Sequence, residues 1–393
     1  MAIAKISSDQ GGRNRKLVLA EILRQPGISR TQIADAVALN AASVSRISRD
    51  LIAAGLISES ESFGPKDRPG RKFVGLKPRG EGGFIIGIGM NGFRQSVTLA
   101  NLENEKVAEW VSPETPGTDG EAFLRLCLGK ARDMLDQHVP DRGRFFGVGI
   151  AIAAELDREA LEIIQAPVFG WEKPIQVGNL VSEILGAPLT LDSPASAINK
   201  AEADCGIARK TNNLVTLHCS LGFGLGARRR SDAWGEHHEI NAVLVQSEAP
   251  DGSGRSLTDA FGGASIIFDH LGKGAMDGKS DTELGAVLVD LIEQSATNEQ
   301  LRSLLSEKGA QTARCFSLVF DLCQPDKILL AGPLANSDAF VAGFGRILAK
   351  RPNPCELDCS QMTPTGASRW LALRGNVAEA DLNLEALKIE SAA

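Results

Sequence analysis

Residues 29–55 read SRTQIADAVALNAASVSRISRDLIAAG, and they prescribe two short helices joined by a tight turn. Ser29 followed three places on by Gln32 is a capping box, in which the hydroxyl satisfies a free amide and the glutamine reaches back to the serine N–H. Ile33 and Val37 give the helix that follows a buried side. Asn40 supplies a second N-cap, and Val44, Ile47, Leu51 and Ile52 recur at i, i+3, i+7 and i+8 until Gly55 ends the next helix. The other face of that helix carries Ala42, Ser43, Ser45, Arg46 and Arg49, small groups that admit a close approach and then arginines one turn later. A helix-turn-helix lays such a second helix in the major groove, where arginine reaches guanine edges or phosphate. The DNA-facing set predicted from the motif is Arg30, Thr31, Gln32, Asn40, Ala42, Ser43, Ser45, Arg46 and Arg49.

Upstream, KLVLAEILRQ at 16–25 is one more amphipathic helix, through Val18 or Leu19, Ile22 and Leu23, ended by Pro26-Gly27. Lys16 and Arg24 on it are expected on phosphate or in solvent. Downstream, Leu56-Ile57 and Phe73 to Leu76 read as short strands around SFGPKDRPGRK, a wing whose Arg68, Arg71 and Lys72 are spaced to enter a minor groove or clamp phosphate. The competing reading is a three-helix docking module whose basic residues are merely solvated.

Charge separates this front segment from the rest. Residues 1–80 hold 14 Lys+Arg against 7 Asp+Glu, leaving 28 against 42 in the remaining 313, within a total net charge of −7. Only the first segment is built to meet a polyanion. At 393 residues, 43% hydrophobic and 23% charged, the chain has the composition of a two- or three-domain globular protein. The longest near-continuous apolar run, Phe145 to Ala154, has ten residues, two of them glycine, well short of a membrane helix. The N-terminus MAIAKISSDQGGRNRK has no apolar core of a secretory signal, and seven cysteines without a C-x-x-C pair fit reduced thiols. A cytoplasmic location is the expectation.

From Gly82 onward, strands, glycines and helices alternate, which predicts an α/β fold on mixed sheets. FIIGIGM (84–90) and FFGVGIAIA (145–153) read as buried strands, 96–107 as a hairpin turning at Glu103-Asn104, and 121–137 as an amphipathic helix. A helix at 179–186, a strand at 187–192, a helix at 195–206 and a strand, glycine turn and second strand within 214–230 follow.

On GVGIAIAAELD (147–157), APVFGW (166–171), LGAPLTLDSPASAINKAE (185–202), SLGFGLGA (220–227), WGEHHEINAVLV (234–245), SLTDAFGG (256–263) and PDKILLAGPLA (325–335), the body resembles the ROK family of sugar kinases and sugar-responsive repressors. A winged helix-turn-helix in front of it is similar to the repressor branch. The resemblance implies a two-lobed actin-like ATPase fold with a sugar between the lobes, in a homodimer or higher homo-oligomer. It divides the chain into a winged helix-turn-helix over 1–80, a first lobe over 81–196 and a second over 197–393, with the C-terminal residues candidates to return to the first lobe.

Departures from the family pattern fall on its chemistry. Gly89 stands where ROK kinases carry the aspartate of the first phosphate loop, so no carboxylate remains there to organise magnesium. Aligned back from Gly206 through Glu202, the family's E-N-D-A-N motif falls on Asp192, Ser193, Pro194, Ala195 and Ser196, and the catalytic aspartate becomes Pro194. A proline takes no proton from a sugar hydroxyl. A shift of one or two residues would return Asp192 to that place. Glu239 replaces the family's zinc histidine and the following stretch has no cysteine, so neither a metal nor a cofactor is expected. ARRR at 227–230 offers three positive charges that could attract an anionic effector, and reads first as a solvated edge.

The ligand set implied by the resemblance is Asp192, Ser193, Glu236, Glu239 and Asp259, acceptors for sugar hydroxyls or for a cationic effector. The expected partners are an operator in double-stranded DNA and a small carbohydrate-type effector, with no membrane and no catalytic residue. An active sugar kinase with a DNA-binding arm, or a regulator governed by another protein, are the alternatives.

Overall fold

The computed structural model describes residues 2–63, 73–92, 94–230, 237–243 and 257–388. Its first unit comprises helix α1 (Ala2–Arg24), strand β1 (Ile28–Ser29), helices α2 (Arg30–Ala36) and α3 (Ala41–Ala53), and strands β2 (Ile57–Phe63) and β3 (Phe73–Pro78). β3 lies between β1 and β2, both antiparallel to it. Both predicted caps are in place. Ser29 and Gln32 make the reciprocal capping box of α2, and Asn40 Oδ1 accepts the Ser43 N–H at the start of α3. The first helix starts far earlier than its apolar spacing predicted, because the polar stretch ahead of Lys16 continues the same helix.

The first lobe begins with β4 (Phe84–Asn91), β5 (Arg94–Asn101), β6 (Lys106–Val111), α4 (Gly120–His138) and β7 (Phe145–Ile152). A side sheet of β8 (Glu155–Asp157), β9 (Glu162–Gln165) and β10 (Ile175–Gln176) leads to α5 (Val177–Leu185), β11 (Leu189–Asp192) and α6 (Pro194–Asp204). The main sheet runs β11-β7-β4-β5-β6, with β7 parallel to both its neighbours and the β4-β5-β6 meander antiparallel.

The second lobe repeats the design. It contains β12 (Asn213–Cys219), β13 (Phe223–Arg230), β14 (His237–Val243), α7 (Leu257–Phe261), α8 (Gly263–Leu271), α9 (Asp281–Gln294), α10 (Glu299–Cys315), α11 (Ser317–Cys323), β15 (Lys327–Ala331), α12 (Asp338–Leu348) and β16 (Glu356–Cys359). Its sheet runs β14-β13-β12-β15-β16, again a meander joined to parallel strands. The last helix, α13 (Pro364–Leu373), packs on β4 and β7 of the first lobe.

Two close approaches fix how helices sit on these sheets. A Cβ added at Gly89 would come within 2.5 Å of the Thr365 backbone nitrogen, so α13 lies on the bare backbone of β4. A Cβ at Gly226 would come within 2.7 Å of the Ala195 carbonyl oxygen, so α6 lies on β13 in the same way. The glycine spacing of SLGFGLG thus serves helix-on-sheet packing, whatever else it does. α6 touches both lobes and lies at the centre of the body.

The front unit shares a core with this body. One hydrophobic cluster runs from Val18, Leu19, Ile22, Ile33, Val44, Ile47 and Leu51 through Ile85, Ala197 and Ala201 to Trp370, Leu371, Val377 and Leu387. Among the described residues no helix is long and apolar enough to cross a membrane.

Candidate functional site

α3 shows how the front unit divides its side chains. Val44, Ile47, Ser48 and Leu51 are buried, the Ser48 hydroxyl donating back to the Val44 carbonyl at 2.8 Å. On the outer face Ala42, Arg46 and Arg49 are exposed, with Ser43 and Ser45 half-buried beside them. Among the described residues Arg46 pairs only with the exposed Asp50 one turn on, at 3.9 Å, a pairing worth about a few tenths of a kcal/mol. Arg49 has no ion-pair partner among the described residues. Thr31 is exposed at the start of α2.

Other residues predicted to face DNA already have work within the fold. The Gln32 carbonyl oxygen accepts the Ser29 N–H at 3.0 Å and the Ser29 hydroxyl at 2.9 Å, and Asn40 gives its side-chain oxygen to the α3 cap. Arg30 reaches across to Glu59 on β2 at 2.7 Å. Arg68, Arg71 and Lys72 of the wing lie outside the described residues.

Lys16 and Arg24 are not where the sequence placed them. Lys16 pairs with Asp381 at 2.8 Å, and Arg24 reaches the buried Asp204 at 3.4 Å. Both cations bind the body, because acids remote in sequence come beside them in the fold. Arg144 makes a further joint. Its guanidinium donates to the carbonyls of Ala54, just past α3, of Gly82 in the connection, and of Leu387 near the C-terminus, at 2.8, 3.2 and 2.7 Å. Lys77 of β3 pairs with Glu103 at 2.9 Å.

In the body, Asp192 ends β11 and is 1% exposed. Its Oδ1 accepts both Arg158 Nε at 2.9 Å and Arg158 Nη2 at 2.7 Å, as well as the Ser193 N–H at 2.8 Å. Its Oδ2 accepts Ser196 Oγ at 2.7 Å and Lys200 Nζ at 2.9 Å. Burial alone would raise this carboxyl, but Lys200 and Arg158 outweigh it and hold the group below the ordinary carboxylate range. Ser193 is the N-cap of α6, its hydroxyl accepting the Ser196 N–H at 3.4 Å, and Pro194 takes the first helical position. Proline suits that position because its fixed φ is helical and its missing N–H is one that would find no helical partner. A free acceptor was expected at Asp192; the structure instead gives a carboxylate whose two oxygens are engaged five times by the chain itself.

The remaining ligand candidates are scattered or undescribed. Asp259 is exposed on α7 of the second lobe. Glu239 lies on β14, paired in register with Arg228, and only its backbone is described. Glu236 lies outside the described residues. A depression of about 1030 Å³ opens among α9, α10 and α12, lined by Glu293, Arg302, Ser306, Asp338 and Arg346 among others, and no predicted ligand residue borders it.

Sequence reasoning missed the residues that tie the parts together. Asp204, at the end of α6, is 4% exposed and accepts Arg228 Nη1 at 2.9 Å and Trp370 Nε1 at 3.1 Å, with Arg24 and Arg374 also paired to it at 3.4 and 3.6 Å. Arg228 is thus buried in an ion pair, where ARRR was read as a solvated edge. No local pattern marks such a cluster, since its members come from four places in the chain.

Comparison with known proteins follows this geometry. Residues 13–58 match a family described as winged helix-turn-helix DNA-binding, and residues 85–235 match the ROK family. The chain is 30% identical over 214 residues to a xylose repressor of Caldicellulosiruptor bescii, a stretch that is 54% of this chain and spans about half (52%) of that relative. It is 25% identical over 327 residues to a transcriptional regulator of Mycobacterium tuberculosis, covering 79% of this chain and 72% of the relative. Among solved structures, a ROK family transcriptional regulator described as a homolog of the E. coli MLC protein superposes with a TM-score of 0.70 at 18% identity, over 94% of this chain and 98% of the other. A ROK glucokinase of Streptomyces griseus, solved with glucose and AMPPNP, superposes with a TM-score of 0.59 at 14% identity, over 74% of this chain and 98% of its own. At such identities these two likenesses speak for the fold alone. The chain thus carries a winged helix-turn-helix match at 13–58 in front of a ROK-family match at 85–235, on the two-lobed actin-like fold of its solved neighbours.

Proposed function

We propose that the chain is a DNA-binding transcriptional regulator of the repressor type, whose ROK body senses a small carbohydrate-type effector and performs no phosphotransfer. The observation that carries the reading is the outer face of α3, where Ala42, Ser43, Ser45, Arg46 and Arg49 stand toward solvent on a helix anchored from behind. Small residues admit the backbone to a groove, and Arg49, without an ion-pair partner among the described residues, is available to a base edge or phosphate. Of the predicted DNA set, Thr31, Ala42, Ser43, Ser45, Arg46 and Arg49 make the contacts in this reading, while Arg30, Gln32 and Asn40 mainly hold the motif in shape. Arg68, Arg71 and Lys72 add the wing contact. A homodimer would present two such helices to half-sites about 34 Å or a multiple of that apart.

Loss of phosphotransfer is supported by the chemistry at three positions. Pro194 offers no base, Asp192 is enclosed by two cations and a hydroxyl, and Gly89 cannot regain a carboxylate without displacing Thr365. Glu236, Glu239, Asp259 and Ser193 stay as the proposed effector contacts, with Asp192 in a supporting role behind them.

The test has two arms. Sequences selected from a random DNA pool by the full chain should converge on a two-fold symmetric site bound specifically in salt-matched competition. Incubation with ATP, magnesium and a panel of hexoses and pentoses should give no sugar phosphate. Binding indifferent to DNA sequence would overturn the regulator reading, and turnover would overturn the loss of catalysis.

A further inference from the structure

α6 is joined to different parts of the molecule at its two ends. At its N-terminal end the Asp192–Ser196–Lys200 group ties it to Arg158, which follows β8 of the first lobe, through contacts of 2.7 and 2.9 Å. Along its middle, Asn199 Nδ2 donates to the Leu214 carbonyl at 3.2 Å, Thr216 Oγ1 at 3.1 Å and the Gly226 carbonyl at 3.1 Å, fixing it on the second-lobe sheet. At its C-terminal end Asp204 collects three guanidinium groups of separate origin: Arg24 from α1 of the front unit, Arg228 from β13 of the second lobe, and Arg374 from the turn after α13, which rests on the first lobe. Trp370 Nε1 closes the ring of donors at 3.1 Å.

Eleven residues of helix span roughly 16 Å, so a rigid rod separates the two ends. A rod whose helix backbone rests on the glycines of β13 has little freedom to bend, and a shift at one end reappears at the other. Arg24 sits in the last turn of α1, two residues ahead of the Pro26-Gly27 turn that leads to α2. Any displacement of Asp204 relative to the first lobe therefore acts on the helix that supports the DNA-reading pair.

We propose that α6 is a lever joining the Arg158–Asp192 cluster of the first lobe to the DNA-binding unit, with Asp204 as its positioning residue and the Asp204–Arg24 ion pair as the joint. This rests on the regulator reading above and adds to it the route by which the body acts on the front unit. Movement of the first-lobe Arg158–Asp192 cluster against the second-lobe sheet that holds Asn199 is carried by α6, and Arg24 passes it to α1.

A double-mutant cycle on operator affinity tests the lever without knowledge of the effector. The probe is the DNA site that the full chain itself selects, and the variants are R158Q at the Asp192 end and R24Q at the joint, each first checked for a cooperative melt. Residues this far apart normally contribute independently, within about twofold. The lever requires R158Q to change operator affinity by about threefold or more, R24Q to abolish that response, and R24K, which keeps a cation at the joint, to retain most of it. A merely structural role for Arg24 would lower affinity in every background by the same factor. An R158Q protein with unchanged affinity, or effects of R158Q and R24Q that multiply independently, would overturn the lever while leaving the regulator reading intact. Absence of any selected site would overturn both.

Discussion

The outer face of α3 and the cluster around Asp192 are both dense in polar groups, and they differ in what those groups touch. On α3 the side chains point away from the fold, and Arg49 has no ion-pair partner among the described residues. Around Asp192 every charge is answered from within, the carboxylate receiving Arg158, Lys200, Ser196 and the Ser193 amide. Desolvating a charge is tolerable only when the fold supplies its partners, so a buried and saturated group is part of the scaffold. An exposed and unsaturated one is available to another molecule. The same residue types thus carry opposite meanings in the two regions.

Five variants sharpen or break that contrast. The largest effect is expected for D192A, which removes the buried carboxylate shared by Arg158 and Lys200. Removing one partner of a buried pair costs about 3–5 kcal/mol, and the partial exposure of Arg158 places the loss at about 3 kcal/mol in denaturant unfolding. A protein that keeps its stability and loses only effector binding would show Asp192 to be a ligand group after all.

Next is the pH dependence carried by Asp204. Burial pushes its carboxyl up, but Arg24, Arg228 and Arg374 together hold it down to about 2. An aspartate whose folded value lies below its unfolded value, about 3.9, stabilises the fold fully above the unfolded value and loses that contribution as pH falls toward the folded one. The contribution is on the order of 2 kcal/mol. D204N should therefore lower stability at neutral pH and flatten the acid limb of the stability curve between about pH 4 and about pH 2, read by urea midpoints across that range. An unchanged acid limb would place the titration elsewhere.

The smallest effect on folding is expected where the effect on DNA is greatest. R46A and R49A should leave the melting temperature within about 1 °C and weaken operator binding by about 1–3 kcal/mol if they reach bases, or reduce the salt slope by about one charge each if they reach phosphate. R30A, which removes an exposed pair with Glu59, should change stability by about 0.5 kcal/mol or less, with little loss of specificity. Equal losses from R30A and R49A would erase the distinction drawn between residues that shape the motif and residues that read DNA.

What could be read in the sequence follows the range of the physics involved. The capping box at Ser29 and the cap at Asn40 are three-residue events, and they stand where their spacing put them. The buried stripe of α3 and the strands β4, β7 and β12 were equally legible from period and β-branched content. The early start of α1 was not, because residues ahead of Lys16 carry no apolar stripe. Lys16, Arg24 and Arg228 were misplaced for one shared reason: a cation's partner is set by tertiary approach, and Asp204 and Asp381 are distant in sequence from Arg24 and Lys16. The resemblance pointed to Asp192 as a ligand acceptor, but Arg158 and Lys200, which decide its chemistry, form no motif with it.

Arg144 holds the carbonyls of Ala54, Gly82 and Leu387 in one guanidinium fork. The head of this protein is consequently not a detachable module. A graft of residues 1–80 onto a foreign body would lose the Trp370, Leu371 and Leu387 part of the cluster that contains Val18 and Ile22 and would lack Arg144, so an exchange that keeps the head folded must carry both Arg144 and the C-terminal segment along.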